Sequence, residues 1–114
     1  MLTITERLVG EVMVLDCRGT ITLNGDDDYL RVRIKEIVGA GTRKIVFNLA
    51  EVPYIDSSGL GVLVSCTTSA QNQGAKLVLL NLQKKVSDLL QVMRLYGVFQ
   101  IFNDETVAVE SFSQ

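Results

Sequence analysis

The stretch KIVFNLAEVPYIDSSGLG, residues 44–61, runs from a strand-like segment into the beginning of a helix. In KIVFNL (44–49) the run Ile45-Val46-Phe47 is apolar without alternation, which suits a strand covered on both faces. DSSGLG (56–61) then sets an acid, two serines and two glycines ahead of VLVSCTTSA, and Leu60, Leu63, Val64 and Thr67 recur there at helical spacing. Asp56 or Ser57 is suited to cap that helix, its side-chain oxygen accepting from a backbone N–H one turn on. Strand, turn and helix in this order form one half of a parallel βαβ unit, and parallel sheets carry their functional groups where strands give way to helices.

Outward from this stretch the same alternation continues. Gly74 is placed to end the helix, KLVLLN (76–81) reads as the next strand, and Leu82, Val86, Leu89, Leu90 and Met93 predict a helix running to Gly97. VFQIF (98–102) reads as the last strand. A short helix starts near Asp104, with Val107, Ala108 and Phe112 available for packing. Upstream, Leu2, Ile4, Met13, Leu15 and Cys17 alternate with Thr3, Thr5, Val12, Val14 and Asp16 on either side of Gly10, as in a pair of hairpin strands with the second partly buried on both faces. Asn24-Gly25 breaks the chain, and a helix is expected from about Asp26 to Gly39 or Gly41. The expected fold is α/β: one domain over 1–114 with a mixed β-sheet, an antiparallel N-terminal strand pair followed by parallel βαβ units, covered by helices.

Composition narrows the function. With 114 residues, 47% of them hydrophobic, the chain can build a core without staples. A net charge of −2 gives no electrostatic case for nucleic acid, and Arg31, Arg33 and Lys35 follow the acids Asp26, Asp27 and Asp28, which suit the positive end of a helix. Histidine is absent, and Cys17 and Cys66 belong to no metal-binding pattern, so two buried reduced thiols are expected. Neither a membrane-length apolar run nor a signal-peptide pattern is present, which points to a cytoplasmic protein without a membrane partner.

Enzymatic readings of the serine pair fail. A serine nucleophile needs a base, and there is no histidine and no SxxK; Ile55 and Asp56 before the serines also break the GxSxG pattern. No segment fits a P-loop. Asn24, Asp26 and Asp28 open like a calcium loop, but Tyr29 and Lys35 occupy the positions of its glycine and bidentate glutamate. A receiver domain would need an acidic pair after its first strand and a lysine ending its last, and neither is found. No catalytic residue, cofactor or metal is therefore expected. What remains is a serine that is acted upon. Gly59 and Gly61 each cost up to about 1 kcal/mol relative to alanine in a first helical turn, which implies close approach to the backbone there. A phosphate at this turn would carry about −1.5 to −2 charge beside free helix N–H groups.

Asp56-Ser57-Ser58-Gly59-Leu60-Gly61, after KIVFNL and VPYI, resembles the signature of anti-sigma factor antagonists of the STAS domain family. The likeness extends to GAKLVLLNLQKKVSDLL and to VMRLYGVFQIF followed by DETVAVESF. It implies a protein without catalytic activity that binds an anti-sigma factor, itself often a serine kinase, and so releases a sigma factor for transcription. It further implies that the kinase, using ATP and magnesium, phosphorylates Ser57, and that a serine phosphatase resets it. Asp56, Ser58, Gly59, Leu60 and Gly61 would form the partner-binding motif, with helix capping expected of Ser58. The alternative within the family is a scaffold or sensor subunit whose serine is never phosphorylated. Gly19-Thr20-Ile21-Thr22 departs from the family, which commonly has an aspartate where Thr22 stands; by family analogy this loop lies beside the serine turn. Tyr54, Ile55, Leu60 and Met93 are open between partner contact and core.

Overall fold

The structure, a computed structural model, describes residues 2–22 and 26–113, with the backbone alone for 26–28. The expected break at Asn24-Gly25 lies outside the described residues, as do the side chains of Asp26, Asp27 and Asp28. Five strands form one sheet: β1 (Thr3–Val9), β2 (Val12–Arg18), β3 (Lys44–Glu51), β4 (Lys76–Leu80) and β5 (Ile101–Phe102), in the order β1-β2-β3-β4-β5. β1 pairs antiparallel with β2 through a two-residue turn in which Gly10 takes φ +62°; every later pairing is parallel. The helices are α1 (Asp26–Gly39), α2 (Ser57–Asn72), α3 (Lys84–Val92) and α4 (Glu105–Glu110). Because each parallel strand is added beside its predecessor, right-handed crossovers put α1, α2 and α3 on one face of the sheet.

Period-two alternation sorts the strand residues between two cores. Leu15, Cys17, Ile45, Phe47, Leu49, Leu77 and Leu79 face the α1–α3 side and pack with Leu30, Ile34, Leu60, Leu63, Val86 and Leu90. Val12, Val14, Val46, Val78 and Leu80 face the other side, where Ala108 of α4 covers them with Val109 and Phe112 against its edge. Leu15, Phe47 and Leu79 are completely buried, each worth about 1.5–3 kcal/mol of transfer free energy. Toward the strand C-termini the second face turns polar. There Arg7 binds both Asp16 and Glu105, and Asn48 Nδ2 donates to Asp16 Oδ1 at 2.8 Å. The Arg7 guanidinium holds the carboxyls of Asp16 and Glu105 below their ordinary values.

Helix ends follow one geometry with different residues. In α1 and α2 a glycine, Gly41 (φ +106°) and Gly74 (φ +80°), takes the left-handed position, and the next N–H reaches back, Ala75 N–H to Ala70 O at 2.8 Å. The expected continuation of α3 to Gly97 is not observed. Arg94 takes the left-handed position (φ +59°), Leu95 N–H closes onto Leu90 O at 2.8 Å, and the helix stops at Val92. The strand expected over 98–102 shortens accordingly. Tyr96–Val98 forms a 3₁₀ turn, Phe99 drops into the core at 7% exposure, and only Ile101–Phe102 pairs with β4.

Both cysteines are free and buried. Burial, with the Asp16 charge adding to it, pushes the Cys17 thiol up to about 12; burial pushes Cys66 up to about 11 against the opposing effect of Arg31. No described helix is long and apolar enough to cross a membrane.

Candidate functional site: the serine turn at the start of helix α2

DSSGLG sits where the chain leaves β3 and enters α2. Asp56 is in extended conformation (φ −86°, ψ 177°) and its Oδ1 accepts from Gly59 N–H at 2.7 Å, so the cap is Asp56. The capping expected of Ser58 is thereby corrected: it is the second residue inside the helix, where its hydroxyl cannot serve as the N-cap acceptor. Ser57 opens the first turn. Both serines are exposed.

A second segment braces this turn. Ile21 N–H donates to Tyr54 O at 3.3 Å, Ile21 O accepts from Asp56 N–H at 3.3 Å, and Ile21 and Ile55 form a parallel bridge. The Gly19–Thr22 loop thus lies directly against the serine turn, with Gly19 N–H donating to Glu51 O at 3.1 Å just below it. The two glycines now separate. A Cβ on Gly59 would lie 2.1 Å from Ile21 O, so the close approach expected at Gly59 is made by the chain itself. A Cβ on Gly61 would meet nothing within 4 Å, and the residue is exposed. No contact within the described chain explains that glycine.

Leu60 is 1% exposed and Ile55 likewise, so both belong to the core and anchor the turn from below. Tyr54 and Met93 are instead about half exposed, at 49% and 46%. Beside Ser57 lies an open groove of about 540 Å³ between the turn and α3, lined by Tyr54, Asp56 and Ser57 on one wall and by Lys85, Leu89 and Val92 on the other. Sequence reasoning missed this second wall. Its signal is Val92, which falls off the stripe of Val86, Leu89, Leu90 and Met93 and is 77% exposed; an apolar residue off the buried stripe of a short helix has no packing reason to be there.

The sequence profile of the STAS domain family matches residues 4–108, and the chain belongs to that family. Among its relatives, the anti-sigma-B factor antagonist of Listeria monocytogenes is 31% identical over 83 residues, covering 69% of this chain and 73% of its own. In three dimensions the chain is similar to a Thermotoga maritima protein solved by crystallography, with a TM-score of 0.88, 23% identity, and 97% and 95% of the two chains covered. It is also similar to the anti-sigma factor antagonist SpoIIAA, solved unphosphorylated (TM-score 0.81, 18% identity, 97% and 96% covered) and phosphorylated (TM-score 0.73, 20% identity, 96% and 99% covered). The mixed sheet with an antiparallel first pair is the fold of this family.

Proposed function

We propose that this chain is an anti-sigma factor antagonist acting in the cytoplasm, a binding protein without chemistry of its own that is switched at Ser57. The observation that carries the reading is the serine turn. An exposed hydroxyl stands at the first residue of α2 on a backbone fixed by the Asp56 cap and the Ile21 brace, beside an apolar groove. Two kinds of relative support it: one named an anti-sigma-B factor antagonist, and one whose phosphorylated form has been solved.

In the unphosphorylated form the turn and groove dock onto an anti-sigma factor, and a sigma factor is released. The anti-sigma factor, acting as a serine kinase, transfers the γ-phosphoryl group of ATP. Ser57 Oγ attacks the γ-phosphorus and gives its proton to a base on the kinase; the bond to the β-phosphate oxygen breaks, and ADP leaves. The added dianion would be buried against a fitted surface at a cost of several kcal/mol, enough to dissolve a micromolar complex of about 8 kcal/mol. A serine phosphatase returns the hydroxyl. Asp56 fixes the turn that carries the hydroxyl, Gly59 admits Ile21, and Gly61 leaves the backbone bare for the partner.

Mass spectrometry of the protein isolated from its own cells tests the reading. Phosphate on Ser57, with none on Ser58 and none in a Ser57→Ala strain, is the expected result. A protein that stays unmodified under every growth condition, and that holds the same partners as wild type and as Ser57→Ala, would be a scaffold subunit instead.

A further inference from the structure

The charges around the groove are unevenly used. Asp56 Oδ1 is committed to Gly59 N–H, and Asp88 is paired with Lys84 at 2.8 Å. Lys85 lines the same groove as Ser57, and among the described residues no carboxylate lies within ion-pair distance of it. Its position is also unfavourable. Lys84 and Lys85 are the first two residues of α3, where the positive end of the helix dipole repels cations, and no acid stands in that first turn. Lys84 recovers by pairing one turn on with Asp88; Lys85 faces the serine turn with no such compensation.

We infer that Lys85 is the built-in counter-ion of a phosphate on Ser57. This rests on the reading of Ser57 as the modified residue and adds how the modified state is held. A dianion on Ser57 gives Lys85 the anion it lacks, and the pair spans the groove from α2 to α3. The phosphate is then drawn across the face formed by Tyr54 and Val92, so that modification covers the apolar contact surface as well as charging it. The other charged groups lining the groove are Asp56 and Asp88, the latter paired with Lys84, and they leave Lys85 as its uncommitted cation.

The test uses full-length protein with phosphoserine placed at position 57 during synthesis, so that no kinase is needed, and follows the ³¹P resonance through a pH titration. The second pKa of a free phosphoserine is about 6. It should lie lower in the wild type than in Lys85→Gln by roughly 0.3–0.7 units, the size of an exposed ion pair. Lys85→Arg should keep the low value, and Lys35→Gln, a charge removed from α1, should leave it unchanged. Lys85→Met retains the side-chain stem and should match Lys85→Gln, which separates loss of charge from loss of packing. Equal titration of wild type, Lys85→Gln and Lys85→Met would overturn the assignment, as would an equal shift from Lys35→Gln. Neither result touches whether Ser57 is phosphorylated in cells, which the mass spectrometry decides separately.

Discussion

Helices α2 and α4 both begin on an aspartate that they use in the same way, and they part company at the next residue. Asp56 caps α2 through Gly59 N–H at 2.7 Å, and Asp104 caps α4 through Val107 N–H at 3.1 Å. In α4 the first helical residue is Glu105, which places negative charge at the positive end of the dipole and binds Arg7 of β1. In α2 the first helical residue is Ser57; no acid stands in its first turn, and Gly59 and Gly61 weaken it. α4 shows how this chain completes a helix start when stability alone is at stake. The start of α2 is left incomplete at the one position where a phosphate would supply the charge that Glu105 supplies to α4.

Substitutions at and around the two helix starts separate these roles. Gly59→Ala should have the largest effect, because its Cβ would lie 2.1 Å from the Ile21 carbonyl, a backbone atom that cannot step aside without parting the brace from the turn. A loss of roughly 2–3 kcal/mol is expected in chemical denaturation, as for an overpacked site. Unchanged stability would mean that the brace is loose.

The two caps should be equal. Asp56→Ala and Asp104→Ala are each expected to lower stability by about 1 kcal/mol. If Asp56→Ala cost far less than its counterpart, the turn at Ser57 would be held by something other than its cap.

Gly61→Ala carries the opposite sign. With open space around the new methyl group, it should stabilise the protein by about 0.5–1 kcal/mol while weakening partner binding. A stabilised variant that binds normally would remove the functional reason for a bare backbone at that residue.

The smallest effect concerns α4 and acid. Asp16 and Glu105 titrate below their ordinary values of 3.8 and 4.5, because Arg7 bonds to both. A carboxyl depressed in the folded state contributes stability that is complete above its unfolded pKa and is lost as pH falls through its folded one. Arg7→Gln should therefore cost roughly 0.5 kcal/mol at pH 7, discounted for the partial exposure of these side chains, and much less near pH 2. Denaturation curves of the two proteins that stay parallel from pH 7 to pH 2 would show that the network does not act on folding.

Most of the fold could be read in the sequence because short apolar runs, each covered on both faces, alternate with stretches of helical spacing. Ile45, Phe47 and Leu49 alternate with Val46 and Asn48, and the two sets divide between opposite faces of the sheet. Glycines marked two helix ends, Gly39 or Gly41 for α1 and Gly74 for α2, because glycine takes a left-handed residue at no steric cost, as Gly41 and Gly74 do. The third end was illegible for the same reason: Arg94 holds that conformation without being a glycine, and Gly97 drew the helix five residues past its last one, Val92. At the site, the hexapeptide gave the turn but not the partition of its roles. That Gly59 answers to Ile21, while Gly61 answers to nothing inside the chain, depends on a contact across 38 residues of sequence. Lys85 was invisible for a similar reason, since its importance lies in facing Ser57 across a groove between two helices.

In the proposed switch, modification of Ser57 turns binding off. Its most direct test is calorimetric titration of a kinase-type anti-sigma factor from the same organism with the unmodified protein and with protein phosphorylated at Ser57. Micromolar or tighter binding that weakens by about 100-fold or more on phosphorylation, a change of roughly 2.7 kcal/mol, is the predicted result. Equal affinity for the two forms would contradict it and leave the serine turn a structural feature of a scaffold.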